Sequence, residues 1–189
     1  MVLPGALLFP NSLLPLYIFE ERYREMLTHC LEHDRMFCIA QMKPGISEAM
    51  DDDDFFHVNG LGLIRACVGN DDGTSHLMLQ GLARVRLTNF IQHEPFRVAQ
   101  IQELPSGAGN PVEAEALSVK VLELCRNAKE TSSELQAFVN KQFPHAHNPE
   151  VVSDFVAHAF VRDPLTRQKI LEELSVCKRL RKLIACLQS

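Results

Sequence analysis

From residue 7 to residue 31 the hydrophobic pattern changes period. Leu7, Leu8 and Phe9 form an apolar run that Pro10 stops, because proline has no N–H to give a strand ladder, and Asn11 follows as a residue that tolerates positive φ. Leu13 to Phe19 resumes the apolar run. From Glu20 onward Tyr23, Met26, Leu27, Cys30 and Leu31 recur at three- and four-residue spacing, while Glu21, Arg22, Arg24 and Glu25 take the other face. The segment reads as strand, corner, strand and amphipathic helix, the helix ending near His33 and Asp34.

Met36 to Met42 is a short apolar run of strand length, stopped by Lys43-Pro44-Gly45, a turn signal. Ile46 to Asp54 reads as an exposed loop, since the four consecutive aspartates Asp51 to Asp54 repel one another and resist burial. From Phe55 to Leu104 the pattern is β. Phe56, Val58, Leu61, Leu63, Ile64, Ala66 and Val68 carry a long or bent strand, with Gly60 and Gly62 as bulge or close-approach positions. Asn70-Asp71-Asp72-Gly73 supplies a hairpin turn into a strand from Ser75 to Gln80, which Gly81 interrupts. Beyond it, Val85 and Leu87 alternate with Arg84, Arg86 and Thr88, and Arg97 to Gln102 alternates in the same way.

Pro105 to Pro111 breaks the composition, and helical spacing follows. Val112 to Lys129 predicts one helix, continued by Ser133 to Phe143; Pro144 to Pro149 is a linker, and Val151 to Val161 a short apolar helix. After Asp163-Pro164 a last helix carries Ile170, Leu171, Leu174, Cys177, Leu180, Leu183, Ile184 and Leu187 as one stripe. The fold class is α+β: a curled antiparallel sheet or partial β-barrel with one early helix over residues 1–107, then a C-terminal helical bundle over residues 108–189.

Composition narrows function mainly by exclusion. At 189 residues the chain buries roughly 70% of its unfolded surface and needs neither metal nor disulfide to fold. A net charge of −5 argues against a broad nucleic-acid face. Six cysteines without a CxxC pair, and no signal-peptide pattern or long apolar stretch, predict reduced thiols in a cytoplasmic protein that does not span a membrane.

Three groups of residues carry a family resemblance. The first is Leu8-Phe9-Pro10, then Leu14-Pro15-Leu16-Tyr17-Ile18-Phe19-Glu20 and Arg22-Tyr23-Arg24-Glu25-Met26. Downstream come Gly60-Leu61-Gly62-Leu63-Ile64, the run Leu77 to Arg86, and Pro95-Phe96-Arg97-Val98-Ala99; the last helix, Gln168 to Leu187, is a weaker match. In this order they resemble the amino-terminal domain of Lon-type ATP-dependent proteases. Asn11 stands where that family usually has glycine, and the strand before Leu7 is shorter than usual. The resemblance implies a PUA-like partial barrel and a free-standing, non-catalytic version of the part that engages unfolded or tagged substrates. The expected partners are unfolded or misfolded polypeptides, together with a protease or chaperone that supplies activity.

The residues themselves offer little catalysis. No GxxxxGK[ST] loop is present, Ser12 lacks a GxSxG elbow, and no cysteine sits in a catalytic sequence; Cys30 and Cys38 read as core. His29 and His33 with Cys30, and His145 and His147 with His158, have spacings a metal could use, but a solvated helix face and a linker explain them more simply, so no metal or cofactor is expected. The aspartate run lacks the alternation of a calcium loop. Lys178, Arg179, Arg181 and Lys182 read as the solvated back of the last helix. Client capture requires an exposed apolar groove, with an open strand edge as one route. Tyr17, Phe19, Tyr23, Phe90 and Phe96 are its candidate lining, each also a core candidate. Two other classes remain: an RNA-binding PUA-like sheet using Arg84, Arg86 and Arg97, whose plainer reading is an outward strand face, and a small-ligand site, which requires a deep pocket.

Overall fold

The computed structural model describes residues 1–46, 51–107, 109–127 and 148–188, together with residues 137, 139, 141 and 143. His145 and His147, and most of the predicted helix over 133–143, lie outside the described residues. Backbone contacts divide the chain into two units, Met1–Leu104 and Pro105–Ser189.

In the first unit β1 (Leu13–Ile18) leads into α1 (Glu21–Glu32), followed by β2 (Met36–Ile39), a single 3-10 turn at Asp52–Asp54, β3 (Val58–Gly69), β4 (Ser75–Gln92) and β5 (Val98–Glu103). The sheet is open and antiparallel, in the order β1-β4-β3-β2, and β5 also pairs with β4. Because β3 occupies one edge of β4, β1 and β5 share the other in succession, β1 along Ser75–Gln80 and β5 along Val85–Gln92.

The predicted first strand does not form. Leu7, Leu8 and Phe9 instead cross the sheet as irregular chain, all buried. The reason is at three glycines: a Cβ on Gly60 would overlap the Leu8 carbonyl, one on Gly81 the Phe9 carbonyl, and one on Gly62 the side chains of Leu79 and Leu8. The backbone thus lies where side chains would otherwise stand. Gly81 therefore does not interrupt β4, which runs on as one strand of 18 residues. The corner that follows is held by Asn11 at φ 62°, the Asn11 amide donating to the Gly81 carbonyl at 2.9 Å, and the Gly81 amide donating to the Ser12 carbonyl at 2.9 Å. On the sheet's inner face Tyr23, Met26, Leu27 and Cys30 of α1 pack with Leu8, Ile18, Ile39, Ile64, Leu77 and Leu79; Leu31, expected on that stripe, is exposed.

The second unit contains α2 (Pro111–Asn127), α3 (Pro149–Phe160), α4 (Pro164–Leu171) and α5 (Val176–Gln188). Asn148 and Asp163 cap α3 and α4, each side chain accepting a backbone N–H, with proline in the first turn where its missing donor costs nothing. The last predicted helix is broken into α4 and α5, because the Leu174 carbonyl accepts from the Gly107 amide at 2.9 Å and the Glu173 carboxylate accepts from the Ser175 amide at 3.1 Å. Arg179 is not on a solvated back either. It is 0% exposed, donates to Ser106 Oγ at 3.0 Å and to the Glu173 carbonyl at 3.3 Å, and lies 3.4 Å from the Glu150 carboxylate and 3.9 Å from that of the buried Asp154.

Two measurements test this construction. In urea unfolding, Gly60→Ala and Gly81→Ala should each cost about 2 kcal/mol or more, since backbone must move, whereas Gly69→Ala should cost almost nothing; the nearest atom to a Cβ at Gly69 is 3.9 Å away. Arg179→Met should destabilise by about 3 kcal/mol by removing the guanidinium beside the buried Asp154 carboxylate, and Asp154→Asn in the same chain should restore part of that loss.

Candidate functional site

The hairpin joining β3 to β4 fixes which way each residue of the sheet points. The Asn70 amide donates to the Thr74 carbonyl at 2.8 Å, closing the turn. Hydrogen-bonded pairs alternate along an antiparallel ladder, so His76 and Met78 bond toward β3, while Ser75, Leu77 and Leu79 bond toward β1. Two cross-strand rows result on the outer face: Tyr17–His76–Val68 and Pro15–Met78–Ala66, with Leu13 opposite Gln80 beside them. On the inner face Leu14, Leu16 and Ile18 sit opposite Leu79, Leu77 and Ser75.

The outer rows stay open to solvent: Leu13 is 52% exposed, Tyr17 47%, Phe19 60% and Val68 64%. The Tyr17 ring stands 4.7 Å from that of His76 and 5.8 Å from that of Phe19. A shallow groove runs along Pro15, Tyr17, Ala66, His76 and Met78. Leu13 to Ile18 contains no charged residue, and β1 pairs with β4 on one side only. Contiguous apolar surface of this kind marks interaction sites.

A second apolar feature of the first unit is a cleft of about 370 Å³ lined by Met26, Cys30, Cys38, Phe55, Phe90 and Phe96, with Arg97 among its polar groups. Phe90 lies 5.9 Å from Phe55, and the Arg97 guanidinium stands 5.1 Å over the Phe55 ring. Burial pushes the Cys30 thiol up, and the Cys38 thiol up to about 11. His29 and His33 stack at 4.2 Å on an exposed face at the end of α1, His29 lying 5.8 Å from Phe96. Among the described residues no group of three or more His, Cys, Asp or Glu side chains could hold a metal ion.

The predicted residues therefore separate. Tyr17 and Phe19 stand on the outer face, while Phe90 and Phe96 line the cleft. Tyr23 belongs to neither: it is buried in the core, its hydroxyl donating to the Val2 carbonyl at 3.0 Å and accepting from the Val2 amide at 3.2 Å. The three arginines do not form a stripe. Arg86 is exposed and Arg97 half-buried, but Arg84 is 2% exposed. Arg84 pairs with Gly60, so both point to the side that the Leu7–Phe9 segment covers; that covering, not strand alternation, decides its burial. In the sequence Ala66 and Val68 read only as apolar strand positions, and His76 and Met78 fall within a strand without being named. The signal for them was the Asn70-Asp71-Asp72-Gly73 turn, from which the pairing of Val68 with His76 can be counted.

The fold class is an α+β chain with an open antiparallel sheet, and its resemblance to known domains is end to end. The family model for the ATP-dependent protease La (LON) substrate-binding domain matches residues 1–189, and the chain belongs to that family. It is 26% identical to a Lon protease of Desulfosudis oleivorans over 97% of this chain and 22% of that protein, and 29% identical to one of Paraburkholderia phytofirmans over 95% and 22%. The chain thus spans about a fifth of these curated relatives. Among solved structures it is similar to the N-terminal domain of Mycobacterium avium complex Lon protease, with a TM-score of 0.77 at 16% identity over 100% of this chain and 96% of that one. A Lon N-terminal domain protein from Xanthomonas campestris gives 0.66 at 18% identity over 97% and 95%. No described helix is long and apolar enough to cross a membrane.

The raised thiol of Cys38 has a pH signature. Its folded value of about 11 exceeds the ordinary 9.0, so the native state holds this proton more tightly than the unfolded chain does. Its contribution to stability is present in full below pH 9.0 and is lost as pH rises through about 11. Cys38→Ala should flatten the alkaline fall in urea midpoint over that window.

Proposed function

We propose that this chain is a non-catalytic polypeptide-binding module that captures exposed apolar segments of unfolded or misfolded clients. The observation that carries this reading is the open apolar face formed by the rows Tyr17–His76–Val68 and Pro15–Met78–Ala66. It needs no conformational change to present aromatic and aliphatic area, which dominates interface energetics. The names of its relatives, Lon proteases, and of its family, a substrate-binding domain, fit a role upstream of proteolysis. On this reading cleavage belongs to a protease partner. The cleft with Phe90 and Phe96 serves as a pocket for a single bulky apolar side chain of the same client.

RNA binding is the weaker reading. Its three arginines do not present a common surface, since Arg84 is buried against the Leu7–Phe9 crossing, and the net charge is −5.

The test is fluorescence titration of the purified chain with an unfolded, apolar-rich polypeptide and with its folded counterpart, at two salt concentrations. Selective, largely salt-insensitive binding of the unfolded form is expected. Tyr17→Ala with Phe19→Ala should weaken it about ten-fold or more without changing the fold, as both rings are solvent-exposed. Equal binding of folded and unfolded forms, or binding that collapses with salt, would overturn the reading.

A further inference from the structure

Resting on that client-binding reading, we infer that β1 takes the client by strand addition. The substrate class is then an extended, β-forming apolar segment about as long as β1's six residues, rather than an apolar helix.

The argument begins with the ladder phase. Leu14, Leu16 and Ile18 bond inward to β4, so the amide groups of Leu13, Pro15 and Tyr17 point away from the sheet. That edge offers the N–H groups of Leu13 and Tyr17 and the carbonyls of Leu13, Pro15 and Tyr17. Proline is tolerated at mid-strand here because its missing donor faces outward.

Comparison of the sheet's edges selects β1. The outer edge of β2 is partly taken by residues 1–3: the Met1 nitrogen donates to the Cys38 carbonyl at 2.9 Å, and just past the strand Val2 bridges Ala40, the Leu3 amide donates to the Ala40 carbonyl at 3.2 Å, and the Ala40 amide donates to the Met1 carbonyl at 2.9 Å. The exposed residues of β5 are Gln100, Ile101, Gln102 and Glu103, a mostly polar edge ending in a charge. Open edges are normally blunted by charge, above all lysine, by proline or by brevity, to prevent pairing with foreign chains. β1 has no charge, and its one interruption is Pro15.

Geometry then constrains the client. In a strand added to β1, alternate side chains continue the outer rows and come to rest beside Leu13, Pro15 and Tyr17. Apolar residues there extend the face; a carboxylate would lose water against Tyr17. Pro15 accepts but cannot donate, so one client carbonyl is left to water. In a pairing of two copies through β1 the gap occurs twice, once at each Pro15, so it weakens a second copy more than a client segment without proline.

The experiment uses the whole chain and a short fluorescent peptide alternating valine and threonine, in three forms: unmodified, N-methylated on one alternate set of amides, and N-methylated on the other. N-methylation removes a donor and adds bulk at the backbone alone. The expected result is a loss of about ten-fold or more for the set that faces β1, and a change within about two-fold for the other set. Leu13→Lys, a change at an exposed side chain, should weaken the unmodified peptide by a similar factor. Equal binding of all three forms, or equally tight binding of a helical peptide of the same composition, overturns strand addition while leaving client capture standing. If neither the peptide nor an unfolded polypeptide binds, the client reading itself falls. A dimer broken by Leu13→Lys with no peptide binding also overturns the proposal, by making a second copy the occupant.

Discussion

The first unit depends on one close approach: the backbone of Leu7 to Phe9 pressed against Gly60, Gly62 and Gly81. Without side chains at those three places the crossing chain sits against the sheet itself, and Leu8 becomes part of the core beneath α1. The corner at Pro10 and Asn11 then delivers β1 to the edge of β4 in a fixed register, through the bonds between Asn11, Ser12 and Gly81. Arg84 is buried by the same crossing. A contact between main chain and glycine thus positions both the outer face and its edge.

This is also where the sequence was legible and where it was not. Period and turn chemistry identified β1, α1, the hairpin at Asn70 to Gly73, the helix over 151–161 and the boundary at Asp163-Pro164, because each signal is local; the caps at Asn148 and Asp163 came with the structure. Gly60 and Gly62 were readable as close-approach positions, but what approaches them was not: the partner is more than fifty residues away in sequence, as Leu8 and Gly60 show. Gly81 looked like a break for the same reason. An absent side chain weakens a strand locally, yet here it is what lets the strand continue beneath another segment. Arg179 sat in a basic run that spacing assigns to solvent, and the carboxylates of Glu150 and Asp154, with the Ser106 hydroxyl and the Glu173 carbonyl, offset the cost of its burial.

The candidate site was half legible. Aromatic identity pointed to Tyr17 and Phe19, which are exposed, and equally to Tyr23, whose hydroxyl is satisfied by Val2 inside the core. Residue type alone cannot separate an aromatic ring that contacts partners from one that packs. What separates them is strand register, which sets Tyr17 beside His76 on the outer face, and helix phase, which turns Tyr23 inward. The face and the cleft divide apolar surface into two shapes, one suited to a length of chain and one to a single side chain.

The buried arginine of the second unit has a consequence for the order of events during synthesis. Arg179 comes from α5, whereas Asp154, Glu150 and Ser106 emerge from the ribosome well before it. Until α5 follows, the nascent unit lacks the guanidinium that stands 3.9 Å from the buried Asp154 carboxylate. The pairing of Arg179 with Asp154 and Glu150 therefore forms only once α5 has been made, which sets it later than the packing of α2 on α3 in chain order.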